Sequence, residues 1–387
     1  MAVETTNRKI SRFDRLYVDG SGFDFVGRAK TWYTIAGVLL IASILAIALR
    51  GFNLSLDFEG GTKLNMPAGD LSTEQVEETF KDATGVTPEL VQIVGAGSSE
   101  TLEITSERLS QDQVNRARQA IFEEFHVKDE NGKPSPDAIG SSTVSESWGA
   151  SITKRMVIAM AVFLVLATIY VAVRLQRDMA FAAILALIFD GVFISGIYAL
   201  FGIEVSPAVI IGLLTVLTFS LYDSVIVFDK VDENTSGLEG QRKKTYADLT
   251  NLAINQTVMR SISTSVISAL PIIALFVVAV WLMGIGTLRD LALVQFIGVI
   301  EGVFSSIFLA TTLLVTLSNQ RKSVKKHNAE VAAYRAEGGD ADDADDDSPK
   351  PARTVVSPAA VSPSTASEPA TKPRGEESGG ASWRPGR

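Results

Sequence analysis

The chain has 387 residues, of which 47% are hydrophobic and 20% are charged, and its formal net charge at pH 7 is −9. The charged fraction is below the about 25% that is usual for soluble proteins, and the mean hydropathy is +0.23. This composition excludes a disordered chain, a collagen and a small disulfide scaffold, and the absence of cysteine excludes disulfides, thiolate metal sites and cysteine catalysis.

Six apolar stretches are long enough to cross a bilayer as helices, for which ~20 mostly apolar residues are needed. They cover residues 32–49, 156–173, 179–201, 205–228, 262–283 and 291–317. The first has a second interpretation as a signal peptide, because A-I-A at residues 46–48 resembles a cleavage site. It is longer, however, than the about 7–15 apolar residues of such peptides. We therefore predict six membrane-spanning helices.

Basic residues mark one side of the predicted bundle. Lys and Arg lie before the first stretch, between the second and third, between the fourth and fifth, and after the sixth. The short loops 202–206 and 284–290 contain only one basic residue, Arg289. The positive-inside rule therefore predicts cytoplasmic N- and C-termini in the cytoplasmic (inner) membrane. The predicted organisation is a cytoplasmic segment 1–31, a first helix 32–50, an exported domain 51–153, five helices within 154–318 and a cytoplasmic tail 319–387.

The exported segment has 18 acidic and 7 basic residues, which argues against a nucleic-acid partner because phosphate contacts need Lys and Arg. Strand patterns occur at 54–58 with 62–66, at 90–94, at 101–105 and at 140–145. Helix starts with the shared pattern L-S-x-x-Q-V lie at 71–76 and 109–114, and both resemble capping boxes. The order predicts an α+β, ferredoxin-like βαββαβ domain. Gly60 and Gly61 alone indicate a tight turn or a bulge.

Three acidic residues fall inside the predicted membrane helices, namely Asp190 in the third, Asp223 in the fourth and Glu301 in the sixth. Arg260 lies at the start of the fifth. Such residues are costly in a bilayer and usually face a bundle interior or a transport pathway. Thr218 and Tyr222 precede Asp223 at helical spacing, and Thr264 follows Arg260 by four residues. Together these residues predict a packed bundle with a polar interior.

Two interpretations of Asp223 and Arg260 stay open at this point. They form a static ion pair that fixes helix packing, or Asp223 binds and releases a proton as Arg260 moves relative to it. Because a nearby cation favours an ionised carboxylate, such movement would couple helix geometry to a proton gradient. Asp190 and Glu301 are second relay groups or protonated carboxyls bonded to neighbours. An intramembrane aspartyl protease is disfavoured, since Asp190 lacks the G-x-G-D pattern of that class.

Beyond Glu337 the tail is acidic and then rich in Pro, Ser, Ala and Thr, a composition that predicts disorder. No G-x-x-x-x-G-K-[S/T] loop occurs in the sequence, so nucleotide use is not expected. We expect no enzymatic activity, no cofactor and no metal ion.

Four motifs carry a family resemblance. They are D-F-E-G-G-T at residues 57–62, Y-D-S-V-I-V-F-D-K-V-D-E-N at 222–234, N-Q-T-V-M-R-S at 255–261 and G-V-F-S-S-I at 302–307. In the same order they resemble D-F-x-G-G-T, N-D-T-V-V-V-F-D-R-I-R-E-N, N-Q-T-x-x-R-T and G-T-Y-S-S-I. These are motifs of the SecF family of bacterial protein-export membrane proteins, and the resemblance covers about residues 12–318.

The resemblance implies a member of the resistance–nodulation–division superfamily of proton-driven transporters. It implies a subunit that pairs with SecD beside the SecYEG channel, with YajC as a further partner, and that uses the proton-motive force to draw unfolded preproteins across the lipid bilayer. The family's essential intramembrane Asp falls on Asp223, its coupled Arg on Arg260, and its exported motif on Gly60 and Gly61.

The sequence departs from the family pattern near the implied site. Tyr222 replaces the usual Asn, Lys230 and Asp232 replace two arginines, and Glu301 stands where a small or neutral residue is usual. These changes bear on proton access. An alternative function is a half-transporter of the same superfamily that exports a lipid or a small molecule, and a third is a scaffold whose charges only pack helices.

Overall fold

The structure, a computed structural model, describes residues 23–97, 100–128, 133–283 and 286–337. In these ranges six helices are long and apolar enough to cross a membrane, in agreement with the six predicted stretches. We name them spans 1 to 6. Their bounds are Ala29–Arg50, Glu146–Arg174, Arg177–Phe201, Pro207–Thr235, Tyr246–Val280 and Gly286–Ser318.

Span 5 begins well before its predicted apolar stretch. Thr245 and Asp248 form a capping box, in which each side chain accepts a hydrogen bond from the backbone of the other residue. Such a box satisfies two of the free N–H groups at a helix start. Because the polar first turns continue into the apolar run as one helix, hydropathy alone does not locate this boundary.

Spans 3, 4 and 6 form the centre of the bundle. In their most apolar windows 44%, 56% and 50% of the residues are buried, against 11% in each of spans 1, 2 and 5. A side chain at Gly298 of span 6 would collide with Val216 of span 4, and one at Gly196 of span 3 would collide with Ser43 of span 1. Small residues are the usual means by which membrane helices approach closely.

Two spans are irregular. Span 5 contains Pro271, which removes one backbone hydrogen bond, and continues into a π-helical segment, Val278–Met283. Span 6 is α-helical over Gly286–Phe304, π-helical over Ser305–Ala310 and α-helical again to Ser318. Because π-helical segments are rare and often lie at functional sites, the one in span 6 marks a region of interest.

The elements outside the spans are numbered here in chain order. The strands are β1 Asn53–Leu54, β2 Gly61–Pro67, β3 Leu90–Val94, β4 Thr101–Ser106, β5 Gly140–Val144 and β6 Glu204–Val205. The helices are α1 Leu56–Glu59, α2 Thr73–Thr84, α3 Gln111–Phe125 and α4 Lys322–Ala336. Two single 3-10 turns are Pro136–Ala138 and Leu238–Gly240.

Strands β2 to β5 form an antiparallel sheet in the order β3-β4-β2-β5, with α2 and α3 packed on one face. The core alternates along the strands and is completed by the helices. It includes Leu64, Met66, Leu102, Ile104, Val76, Phe80, Val114 and Ile121. Helix α3 begins with the predicted capping box between Ser110 and Gln113. The predicted α+β domain beside a six-helix bundle is therefore confirmed.

The predicted strand over 54–58 is wrong. β1 ends at Leu54, and α1 follows as a single helical turn. The chain must reverse direction before β2, and it does so at Gly60 and Gly61, whose φ angles are 82° and 131°. β1 instead pairs in parallel with β6, in the loop between spans 3 and 4.

The chain after span 6 continues as α4, which packs back towards the start of span 5. Arg335 forms an ion pair with Asp248 at 2.7 Å, and His327 Nε2 donates to the Lys244 carbonyl at 3.0 Å. Most of the segment predicted to be disordered, residues 338–387, lies outside the described residues, as do residues 1–22 of the predicted N-terminal segment.

Candidate functional site in the membrane bundle

Asp223 lies in a narrow cleft between spans 4, 5 and 6, and only 7% of it is exposed. The lining residues are Phe219, Ser220, Tyr222 and Asp223 of span 4, Thr264, Ser265 and Ser268 of span 5, and Gly298, Val299 and Gly302 of span 6. The free volume is about 20 Å³, which is room for about one water molecule. The cleft therefore offers a buried carboxyl, three hydroxyl groups of span 5 and space for little else.

Asp223 and Arg260 are not paired in this conformation. Among the described residues, no ion pair or hydrogen bond of either side chain is present, and Arg260 is exposed. Thr264, one turn further along span 5, donates its hydroxyl to the Arg260 carbonyl at 2.8 Å. The interpretation of Asp223 and Arg260 as a static ion pair is therefore not supported by this conformation.

The residues predicted as a polar face around Asp223 separate into two groups. Asp223 turns into the bundle, whereas Tyr222 is 57% exposed and lies at the rim of the cleft. Thr218 is also exposed, and its hydroxyl bonds the Leu214 carbonyl of its own helix at 2.9 Å. Thr264 is half-buried and lines the cleft. Only Thr264 among these supporting residues thus shares the interior with Asp223.

Asp190 and Glu301 meet in the interior of the bundle. Both are buried, and their carboxyl groups are close enough to interact directly, although no well-oriented hydrogen bond joins them. Ser220 of span 4 donates its hydroxyl to Asp190. The structure therefore brings together two of the four predicted ionisable residues, and they are not the two that form the implied pair.

Ser220 was not among the predicted site residues, yet it contacts both polar regions. It bonds Asp190 on one side and lines the Asp223 cleft on the other. Gly302, next to Glu301, lies so near that a side chain there would reach Ser220 at 3.3 Å. The signal in the sequence is weak, because a lone Ser three residues before Asp223 is an ordinary feature of a membrane helix.

Two parts of the chain match known protein families. Residues 126–320 match the family described as protein export membrane protein SecD/SecF, C-terminal, and residues 45–69 match the SecD/SecF GG motif. Over 331 residues the chain is 50% identical to the protein translocase subunit SecF of Mycobacterium tuberculosis, with 86% of this chain and 75% of that protein covered. The chain belongs to the SecD/SecF family. The resemblance in the four sequence motifs is thereby confirmed.

Other members of the SecD/SecF family extend the comparison. The SecF subunit of Streptomyces coelicolor is 35% identical over 324 residues, which cover 84% of each chain. The crystal structure of SecDF from Thermus thermophilus, a translocon-associated membrane protein, matches with a TM-score of 0.66 and 30% identity. That match covers 77% of this chain and 39% of the other, so the chain spans about two fifths of that SecDF.

The SecD/SecF GG motif is a site of close backbone approach. A side chain at Gly61 would lie 2.6 Å from the Ser106 carbonyl oxygen, at the end of β4. One at Gly60 would lie 2.9 Å from the backbone nitrogen of Glu146, at the start of span 2. Both glycines also have positive φ, which only glycine adopts at low cost. Gly60 and Gly61 therefore join the sheet to span 2 through backbone geometry.

A polar cavity of about 430 Å³ separates the open face of the sheet from the ends of spans 3, 4 and 6. Lys63 of β2 lies 3.4 Å from Glu103 and 3.7 Å from Glu204. Arg289 pairs with Asp290 at 2.9 Å. Burial raises the pKa of Glu204, and Lys63 offsets part of that rise. Sequence reasoning missed this cluster, because its members are up to 227 positions apart.

Proposed function

We propose that this chain is a subunit of the Sec preprotein translocase that pairs with SecD and uses the proton-motive force to promote preprotein translocation and release. The similarity to protein translocase subunits SecF supports the Sec role. The proton-driven part rests on one observation: the Asp223 carboxyl is buried in the bundle, has no cation partner among the described residues, and lines a cleft with room for about one water molecule.

The proposed cycle uses Asp223 and Arg260 as alternating partners. A charged group inside a membrane bundle is costly without a partner, so Asp223 holds a proton in the present arrangement. When span 5 moves so that the Arg260 guanidinium reaches the carboxyl, an ion pair replaces the O–H bond and the proton passes to water in the cleft. The reverse movement reloads Asp223. One charge that crosses 100 mV supplies about 2.3 kcal/mol.

The irregular segments supply positions at which the spans can change shape. Pro271 interrupts the hydrogen bonding of span 5, and the π-helical segment Ser305–Ala310 interrupts span 6 next to the polar interior. Helices bend most readily at such positions. We place the moving part of the cycle there, while the small-residue contacts between spans 4 and 6 hold the centre.

We further propose a cytoplasmic-membrane location, with cytoplasmic termini and the α+β domain on the exported side, where it meets unfolded preprotein. SecD is the expected partner because SecDF of Thermus thermophilus is a single chain of which this chain matches 39%. The SecYEG channel and YajC are further proposed partners. The coupling ion is the proton, and neither a nucleotide, a metal ion nor an enzymatic step enters the cycle.

A second candidate, export of a lipid or small molecule, is favoured by one cavity. An apolar cavity of about 440 Å³ lies between spans 2, 3 and 4. Its lining includes Phe52, Phe58, Met156, Met160, Ile194 and Leu213. Such a volume and lining suit an acyl chain or a small apolar molecule.

The test is export in cells depleted of the native protein. The cells are complemented with wild type or Asp223→Asn at matched membrane levels, and the export of a pulse-labelled preprotein is followed. Asp82→Asn, an exposed aspartate of α2, is the matched control. We expect Asp223→Asn to slow export while association with SecD persists, and Asp82→Asn to export at the wild-type rate.

Export at the wild-type rate with Asp223→Asn would contradict the proton-coupling role of this residue. If preprotein export is unaffected by depletion of the protein, the Sec role itself fails. Lipid or small-molecule efflux that depends on Asp223 would then favour the second candidate.

A further inference from the structure

A buried polar cluster lies at the contact of spans 3, 4 and 6, apart from the Asp223–Arg260 pair that carries the proposed function. Its members are Asp190, Ser220, Glu301 and Ser305, which are 0%, 3%, 4% and 0% exposed. Their surroundings are apolar: Leu187, Ile194, Val216, Leu217 and Ile307 are buried in the same core. The side chains of the cluster are therefore shielded from solvent by the bundle itself.

The hydrogen-bonding capacity of the cluster is largely unused. Ser220 donates to Oδ2 of Asp190, but Oδ1 of Asp190, both carboxyl oxygens of Glu301 and the hydroxyl of Ser305 have no partner in the described residues. Buried polar atoms are normally bonded, and each exception needs an explanation. Four unpartnered atoms around two touching carboxyls indicate that a bound species completes the site.

The charges around the cluster decide which species fits. Span 3 contributes Asp190, span 6 contributes Glu301, and span 4 contributes Ser220 and, three residues on, Asp223. Span 1 has no acidic or basic residue between Lys30 and Arg50, and span 2 has none between Arg155 and Arg174. Arg260 of span 5 is exposed and makes no ion pair with any described residue. The two carboxyls thus face each other without a protein cation.

Two ionised carboxylates in contact repel each other strongly at low dielectric, and burial of unpaired charge is costly in itself. A proton is the smallest species that removes a charge and adds a donor. Held on one carboxyl, it also satisfies an oxygen of the other. None of the cavities described above is lined by Asp190, Glu301 or Ser305, which favours a proton over a hydrated ion.

We propose that Asp190 and Glu301 form a second proton-binding site, in which the two carboxyl groups hold a shared proton and Ser220 connects them to the Asp223 cleft. This inference rests on the proposed function, because it assigns the site to the same proton-driven cycle. On ionisation the shared proton passes from a carboxyl O–H to water in the cleft, and the pair changes from one negative charge to two. No other bond is made or broken.

Ser220 gives the site its connection to Asp223. Its hydroxyl is both a donor and an acceptor, it bonds Asp190, and it lines the cleft that holds Asp223. Ser305 begins the π-helical segment of span 6, so a change of charge on the pair acts directly on the irregular part of that helix. Protonation of the Asp190–Glu301 pair thereby alters the packing of span 6, which also lines the Asp223 cleft.

The test is infrared difference spectroscopy of the full-length protein in lipid vesicles at neutral pH. A protonated carboxyl has a carbonyl-stretch band that an ionised one lacks. Asp223, which holds a proton in the proposed cycle, contributes one such band. We expect wild type to show a second band from the Asp190–Glu301 pair, and Glu301→Gln and Asp190→Asn each to lose this second band. Asp82→Asn, at an exposed position of α2, is the matched control and is expected to retain both bands. Carbon-13 labelling of glutamate carboxyls in wild type should shift the band, and this measurement needs no variant.

Three outcomes overturn the proposal. The first is an unchanged protonated-carboxyl spectrum in both Glu301→Gln and Asp190→Asn. The second is a wild-type spectrum without any protonated-carboxyl band that responds to glutamate labelling. The third is loss of the band when sodium chloride replaces choline chloride, which would show that a metal cation and not a proton occupies the site. None of these depends on export by Asp223→Asn, so failure here leaves the proposed function standing.

Discussion

Carboxyl groups occur in two regions of this molecule under opposite conditions. In the cavity beside the sheet, Glu103 and Glu204 share Lys63 as a cation. In the bundle, Asp190 and Glu301 face each other with no cation from the described residues. An ion pair fixes the geometry of its members, whereas unpaired buried carboxyls must bind a proton or find a partner. The same residue types therefore hold side chains together in the cavity beside the sheet, and bind and release a proton in the bundle.

The largest effect is expected when the paired region loses its cation. Lys63→Met removes the ion-pair partner of Glu103 and Glu204 at half-buried positions, which should cost about 1–3 kcal/mol. We expect a lower melting temperature of the full chain in detergent, together with faster proteolysis within the α+β domain. Lys81→Met, at an exposed position of α2, is the matched control. Equal melting temperatures for the two variants would show that the Lys63 contacts contribute nothing to stability.

A smaller effect is expected from Glu204, whose pKa is raised by burial. Its folded-state pKa lies above the unfolded value of about 4.3, so the folded protein binds this proton more tightly. Its contribution to stability is full below about pH 4.3 and is lost as the pH rises through the folded pKa. Glu204→Gln should remove this part of the pH dependence.

The measurement is the melting temperature of the full chain from acid to neutral pH. We expect the wild-type value to fall relative to Glu204→Gln as the pH rises, while Glu74→Gln, an exposed position of α2, follows wild type. If the melting temperatures of wild type and Glu204→Gln changed with pH in parallel, the charge of Lys63 would fully offset the effect of burial on the pKa of Glu204.

The smallest effect is expected where a pair is exposed. Arg174 and Asp229 form an ion pair at 2.7 Å, but their side chains are 53% and 40% exposed. Exposed pairs contribute about 0–1 kcal/mol, so Arg174→Gln should barely change the melting temperature, at low or at high salt. If Arg174→Gln lowered the melting temperature as much as Lys63→Met, burial would not explain why one ion pair stabilises the protein more than the other.

The elements set by local pattern were predictable from the sequence. The apolar runs located six spans, and the capping box at Ser110 located α3, because both depend on neighbours along the chain. The region before Gly60 was not predictable in the same way. Its residues suit a strand, yet the reversal of the chain at two glycines with positive φ closes them into a helical turn.

The candidate site shows the same limit. Tyr222 and Asp223 are adjacent, and consecutive residues of a helix point about 100° apart, so at most one of them faces the bundle centre. The sequence does not state which, because that depends on the rotation of span 4 against spans 3 and 6. The contact of Asp190 with Glu301 has the same origin, since 111 positions separate them and only tertiary packing brings them together.

The pairing of β1 with β6 has a mechanical consequence. Asn53 and Leu54, just after span 1, are joined by backbone to Glu204 and Val205, in the loop between spans 3 and 4. A movement of the α+β domain that displaces β1 would therefore strain this two-residue ladder. The ladder therefore links the domain to the loop between spans 3 and 4. A force on the domain would be transmitted through this loop to span 3, which contains Asp190, and to span 4, which contains Asp223.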